Sequence, residues 1–175
     1  MPESVIIAKI RETADKPTGE LTKEDLEKVL WLQLFAYDIT DLTPLAGLTR
    51  LGWLYLSSNK LTDEQLKHLA GLKDLFSLHL SNNKLTDITP LSELTVLQEL
   101  NLSGNTVSDL TPLSELKKME KLILSYNQIT DLTHLAGLAK LKELLLFNNP
   151  VLTNAQIARL QKALPRCEIK HDASR

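Results

Sequence analysis

One spacing of leucines recurs along this chain and limits what it can fold into. The pattern Leu-x-x-Leu-x-Leu-x-x-Asn begins at residues 51, 75, 97, 119 and 141, with Met at the fourth start. Successive copies end 24, 22, 22 and 22 residues apart, at Asn59, Asn83, Asn105, Asn127 and Asn149. Weaker copies flank them, at Val29, Leu32, Leu34 and Tyr37, and at Leu164, Cys167 and Ile169. A fixed repeat of this kind predicts a solenoid, in which each unit buries its apolar side against its neighbours.

Units of the form Asn-x-Leu-Thr-Asp-Leu-Thr-Pro-Leu-x-x-Leu resemble leucine-rich repeats, in particular the short 22-residue class of bacterial internalins. The resemblance covers about residues 29–169. It implies an α/β solenoid shaped as a horseshoe, with a parallel β-sheet on the concave face and a role in protein–protein interaction.

The residues of one repeat predict the path of one coil. Leu78 and Leu80 are two positions apart and share one face of a strand, so Ser77 and His79 face the other way. Asn83 then turns the chain, because asparagine tolerates left-handed backbone and offers both donors and acceptors. We expect the five repeat asparagines to stack into a structural ladder.

The return segments predict short helical pieces on the convex side. Pro44, Pro90 and Pro112 recur there and favour turns or 3₁₀ helix over long α-helices. The 24-residue unit lacks this proline. Its Thr62 and Gln65 have the spacing of a capping box, which predicts an α-helix over about residues 63–70.

The ends predict caps, so that residues 1–175 form a single domain: cap 1–28, repeats 29–152 and cap 153–175. The first cap is predicted to hold a helix with Pro2 near its first turn, and a second helix after Thr22. In the last cap, Thr153 and Gln156 predict a capped helix that Pro165 ends, followed by an edge strand in "RCEIK".

Composition narrows the range of partners. The net charge of −2 gives no general attraction to nucleic acid, and no apolar run is long enough to enter a membrane as a span. Cys167 is the only cysteine, so no intrachain disulfide forms. The first residues lack the features of a secretory leader, which favours a cytoplasmic protein. A secreted protein whose leader lay outside this sequence would look the same.

The motifs of common enzymes are absent from the sequence. It has no P-loop, GxSxG, HExxH or paired CxxC motif, and its four histidines have no zinc-ligand spacing. We therefore expect no enzymatic activity, no catalytic residues, no cofactor and no metal. One aspartate recurs in five units, at Asp41, Asp63, Asp87, Asp109 and Asp131. Capping of the following helical turn explains it, and a row of calcium ligands is the alternative.

Outward positions on the strands are where a partner is expected to bind. Five of the eight aromatic residues fall there, and a leucine core has no need of them. Trp53 and Tyr55 are the expected anchors. The full predicted set is Trp31, Phe35, Trp53, Tyr55, His79, Asn101, Ile123, Leu145 and Phe147. Outward residues at equivalent positions of successive strands form rows across the sheet. In the last strand, Arg166 is predicted to lie beside Glu143, Glu168 beside Leu145 and Lys170 beside Phe147. Alternatively, the N-terminal cap folds over Trp31 and Phe35 and buries them.

The expected function is binding of a partner protein or peptide on the concave sheet. Two alternatives remain open at the level of sequence. The exposed tryptophans and tyrosine are also suited to stacking on a carbohydrate or small ligand, and apolar patches of this kind can drive weak self-association of a scaffold.

Overall fold

The protein is described by a computed structural model covering residues 4–173. Seven strands of three residues each form one open parallel sheet, ordered along the chain from β1 to β7. The strands are Trp31–Gln33, Trp53–Tyr55, Ser77–His79, Glu99–Asn101, Lys121–Ile123, Glu143–Leu145 and Glu168–Lys170. This confirms the predicted leucine-rich repeat solenoid.

The middle residue of every strand from β1 to β6 is a leucine that points into the core. Leu54 and Leu78, for example, pair in register and are fully buried. The leucines two positions later and those of the return path fill the same continuous core. Because each coil buries its leucines only between neighbouring coils, the sheet positions at the first and third residues of each strand are left to face outward.

Short 3₁₀ helices form most of the convex side. They span Thr43–Leu45, Lys67–Leu69, Thr89–Glu93, Thr111–Leu113 and Thr133–Leu135. In four coils the recurring aspartate lies two residues before the first helical threonine, and its carboxylate accepts that residue's N–H: Asp41, Asp87, Asp109 and Asp131. The pKa of all four carboxyl groups is lowered. The hydroxyl of the same threonine is the larger cause at Asp87 and Asp109, and this N–H is the larger cause at Asp41 and Asp131.

The 24-residue unit differs from its prediction in two ways. The α-helix α3 is only Asp63–Leu66, and the 3₁₀ helix Lys67–Leu69 continues it. Thr62 makes no side-chain capping hydrogen bond, and Gln65 Oε1 accepts the N–H of Leu42 in the preceding coil. Asp63 likewise accepts from a neighbouring coil, at the N–H of Thr86. Contacts between coils have replaced contacts within the helix.

The N-terminal cap consists of α1, Val5–Thr13, and α2, Lys23–Glu27. Ser4 caps α1, and its predicted extension to Pro2 lies outside the described residues. Thr22 and Asp25 form a capping box at α2. Asp25 is buried, and its pKa is lowered chiefly by the N–H of Thr22 and then by the ammonium of Lys28.

The C-terminal cap contains α4, Asn154–Ala163, and the edge strand β7. The predicted capping box is present, because Thr153 Oγ1 accepts the N–H of Gln156 and Gln156 Oε1 accepts the N–H of Thr153. The register of β7 was predicted wrongly. Glu168 pairs with Glu143 and Lys170 with Leu145, so the strand lies two residues further along the chain than the rows implied.

Candidate functional site

The outward side chains of the sheet, together with the residue two positions after each strand, form what we call the concave face. Two tryptophans lie side by side at its N-terminal end, because Trp31 pairs with Trp53 in the register of β1 and β2. Their exposed fractions are 53% and 39%. Trp53 also meets Phe76 edge to face, with ring centroids 4.3 Å apart. A solvated aromatic pair of this kind is a candidate contact for a partner.

Phe76 was not among the predicted site residues. It lies directly before β3, opposite Gly52 of the previous coil. A Cβ atom on Gly52 would come within 2.8 Å of the Phe76 ring. The signal in the sequence was therefore the glycine, since every other repeat carries a larger residue there. Because Gly52 has no side chain, the Phe76 ring fits against Trp53 and enlarges the aromatic surface there.

Helix α1 stands beside the first strand without covering it. Phe35 is 55% exposed, and with Trp31, Tyr37, Glu12 and other residues it lines a groove of 420 Å³ between α1 and the sheet. The alternative in which the N-terminal cap buries Trp31 and Phe35 is therefore wrong. Tyr37, which replaces the ladder asparagine in the first coil, adds a third exposed ring to this groove.

Tyr55 and His79 continue the face on β2 and β3. Their rings meet edge to face at 4.6 Å, and both residues are half-buried. His79 Nε2 lies 3.5 Å from Glu99 Oε1 but makes no hydrogen bond there, and the atom is shielded from solvent. Burial lowers the pKa of His79 and outweighs the opposing attraction of Glu99. We conclude that His79 is a neutral packing partner for Tyr55 at neutral pH.

The centre of the concave face is polar, and its groups are largely engaged with one another. Asn101 Oδ1 accepts hydrogen bonds from both the N–H and the hydroxyl of Ser103. Ser81 donates to the hydroxyl of Ser57, and both serines are buried. Asn101 therefore has only its amide nitrogen without a described partner, which leaves it able to donate to a bound molecule.

The C-terminal part of the face combines a small apolar group with a charge ladder. Ile123 and Leu145 are half-buried, and Phe147 is 37% exposed. Beside them, Glu143 accepts from Lys121 and Lys170, each at 3.2 Å. The two ammonium groups lower the pKa of Glu143. Because Ile123 and Leu145 are half-buried, this end exposes less apolar surface than the tryptophan end.

The asparagine ladder runs along the edge of the sheet where the strands end. Asn105 Nδ2 donates to the carbonyl groups of Leu80 and Leu102, and its Oδ1 accepts the N–H of Leu85. Equivalent bonds are made by Asn59, Asn83, Asn127 and Asn149. Each rung thus joins its own coil to the preceding one, which holds the strands and their outward residues in register.

Left-handed backbone lies one residue before each ladder position. The φ angles there range from 53° to 67°, at Ala36, Ser58, Asn82, Gly104, Tyr126 and Asn148. The expectation that the ladder asparagine itself adopts this conformation was wrong. The asparagine is required for its side-chain hydrogen bonds, and the residue before it makes the turn.

Within residues 4–173, no group of three or more His, Cys, Asp or Glu side chains is placed to hold a metal ion. Burial raises the pKa of the Cys167 thiol to about 11, so it is not activated as a nucleophile. Across the same part of the chain, no helix has the length and hydropathy needed to cross a membrane.

Comparison with known proteins agrees with this geometry. The family model described as "Leucine Rich repeats (2 copies)" matches residues 73–115, and the one described as "Leucine rich repeat" matches residues 95–151. A search of curated proteins found no match. The matched segments and the fold are thus those of leucine-rich repeats, which generally form scaffolds for protein–protein interaction and are typically non-enzymatic.

Several solved structures of leucine-rich repeat proteins are similar to it in shape. It is similar to internalin C2 of Listeria monocytogenes, with a TM-score of 0.78 and 27% identity, over 97% of this chain and 85% of that one. It is similar to the internalin inlF of the same species, with a TM-score of 0.74 and 25% identity, over 98% of this chain and 57% of that one. It is also similar to a leucine-rich repeat protein of Leptospira interrogans, with a TM-score of 0.75 and 31% identity, over 83% of this chain and 38% of that one. The chain is therefore internalin-like, and spans between 38% and 85% of these structures.

Proposed function

We propose that the protein binds a partner protein or peptide on its concave face, with Trp53 and Tyr55 as anchors. The observation that carries the proposal is the solvated aromatic surface at the N-terminal end. Trp31, Trp53 and Phe35 are between 39% and 55% exposed on a sheet whose core is complete without them. Large aromatic residues bury much area and lose little entropy, and they dominate binding energy at interfaces.

The partner is expected to place apolar side chains against this surface. The tryptophan end is continuous from the α1 groove across Trp31 and Trp53 to Tyr55. The central Asn101 and the paired charges around Glu143 form a polar border, as at the rim of protein interfaces. Strands about 4.8 Å apart place the smaller apolar group at Ile123 about 14 Å from Tyr55, three strands away, where it supplies a second contact.

A site-specific photo-crosslink tests the proposal in an extract of the source cell. A benzophenone amino acid replaces Gln33, an exposed residue beside Tyr55 on the concave face, in one variant and Lys67, on the convex side, in the control. We expect discrete protein adducts from position 33 that are absent from position 67. Adducts at twice the mass of the chain would indicate self-association instead. Adducts from position 67 alone, or none from either position, would contradict the proposal.

The partner identified in this way then allows a direct measure of the anchor. We expect Trp53→Ala to weaken binding by about 2 kcal/mol or more, which is roughly 30-fold in Kd, while the unfolding free energy changes little. Lys67→Ala is the matched control and should leave Kd unchanged. An unchanged Kd for Trp53→Ala would refute its role as an anchor.

A further inference from the structure

Tyr126 is anomalous in its position in the repeat. Its φ of 58° is left-handed, a region that a bulky side chain disfavours. Other repeats have Ser58, Asn82, Gly104 and Asn148 at the equivalent place. Tyr126 is also 62% exposed, more than any other large apolar side chain among residues 4–173. Neither burial nor backbone geometry accounts for a tyrosine here.

A cleft of 470 Å³ adjoins this ring, beyond the strand ends of β5 and β6. Its volume lies in the range of about 300–1,000 Å³ typical of small-molecule sites. Gln128, Asn148 and Asp172 line it together with Tyr126. Both carboxylate oxygens of Asp172 accept the N–H of Asn148, at 2.9 and 3.0 Å, which fixes the carboxylate against the wall of the cleft.

The available groups define the chemistry of a ligand. The ladder asparagines that also line the cleft have their amides engaged with backbone. The polar groups left for a ligand are the side-chain amides of Gln128 and Asn148 and the remaining lone pairs of the Asp172 carboxylate. Amides and carboxylates pair with neighbouring hydroxyl groups, and an aromatic face packs against the C–H face of a sugar ring. None of the described lining residues is a cation, so an anionic ligand is disfavoured.

We propose that this cleft binds a neutral saccharide, with the Tyr126 ring as its stacking platform. This site is separate from the tryptophan end of the concave face, and it does not rest on the protein-binding proposal. A tyrosine at this left-handed position lowers the stability of the fold, and we infer that it is retained because its ring contacts the ligand.

Saturation-transfer NMR tests the site with maltose, lactose, cellobiose and N,N′-diacetylchitobiose as probes, and with a sulfated disaccharide as the charged control. We expect transfer to the ring protons of at least one neutral disaccharide and none to the sulfated one. Tyr126→Asn should reduce the transfer at least tenfold and raise the denaturation midpoint, because asparagine already occupies this position in two other coils. Tyr126→Phe should retain most of the transfer.

Trp53→Ala separates this proposal from the previous one, since it should leave the saccharide signals unchanged. Three outcomes would overturn the proposal: no transfer to any neutral disaccharide, equal transfer in wild type and Tyr126→Asn, or transfer that Trp53→Ala abolishes.

Discussion

Replacing Asn105 with alanine tests the ladder that sets the register of the whole sheet. The substitution removes donors to Leu80 and Leu102 and the acceptor for the N–H of Leu85. The carbonyl groups keep a second donor, because Asn83 also bonds Leu80 and Asn127 also bonds Leu102. The N–H of Leu85 has no other described partner and becomes a buried orphan.

One orphaned buried group costs about 1–3 kcal/mol, and the two weakened carbonyl bonds add a smaller amount. We therefore expect Asn105→Ala to lower the unfolding free energy by about 2–3 kcal/mol. Asn59→Ala should cost more, because Asn59 Oδ1 accepts two N–H groups, of Tyr37 and Ile39, and Asn59 is the only described donor to the carbonyl of Leu34.

Equilibrium urea denaturation followed by circular dichroism measures both changes, with Asn154→Ala as an exposed control on α4. The urea midpoint is expected to be highest for the control, lower for Asn105→Ala and lowest for Asn59→Ala. An unshifted midpoint for Asn105→Ala would show that the ladder bonds contribute nothing net. Equal midpoints for the two ladder variants would refute the reasoning from orphaned groups.

Two further predictions concern the turns. Gly104→Ala should lower the unfolding free energy by about 1–2 kcal/mol, because its φ is 67° and the new Cβ would meet Asn82 Oδ1. Gly71→Ala, where a Cβ meets nothing within 4 Å, should cost nothing in the same urea titration, and equal losses would contradict the reasoning. The turn aspartates, such as Asp87 and Asp109, have pKa values in the folded protein below the unfolded value of about 3.9. Their ionised carboxylates therefore stabilise the fold above this pH, and the stabilisation is lost as the pH falls through the folded pKa values. Thermal melts between about pH 6 and pH 3 should show a falling Tm below about pH 4, and Asp87→Asn should flatten the fall; an unchanged profile would count against the turn bonds.

Sequence reasoning reached the repeated parts of the fold because each signal recurs. Leu78 and its equivalents predict strands in every coil, and Thr153 with Gln156 predicts a capped helix from local chemistry alone. The same local reasoning was wrong at Thr62 and Gln65, where Gln65 bonds the preceding coil instead. Coil-to-coil contacts depend on the assembled solenoid and leave no signature within one segment.

The candidate site was predictable in part for the same reason. Outward positions follow from strand periodicity, so the exposure of Trp31, Phe35 and Trp53 could be anticipated. The register of β7 could not, because the last repeat is degenerate and its pairing depends on how α4 returns the chain. The place of Phe76 beneath Trp53 required the paired register that sets it against Gly52.

The concave face can be observed directly, because the chain has only two tryptophans and both lie there. The measurement is an NMR titration of ¹⁵N-labelled protein with the partner that the photo-crosslink identifies, followed at the two indole N–H signals. Our account predicts that the Trp53 signal shifts or broadens in proportion to bound partner, with Trp31 following it. If both indole signals stay unchanged at saturation while backbone signals elsewhere move, the partner binds another surface and the account is contradicted.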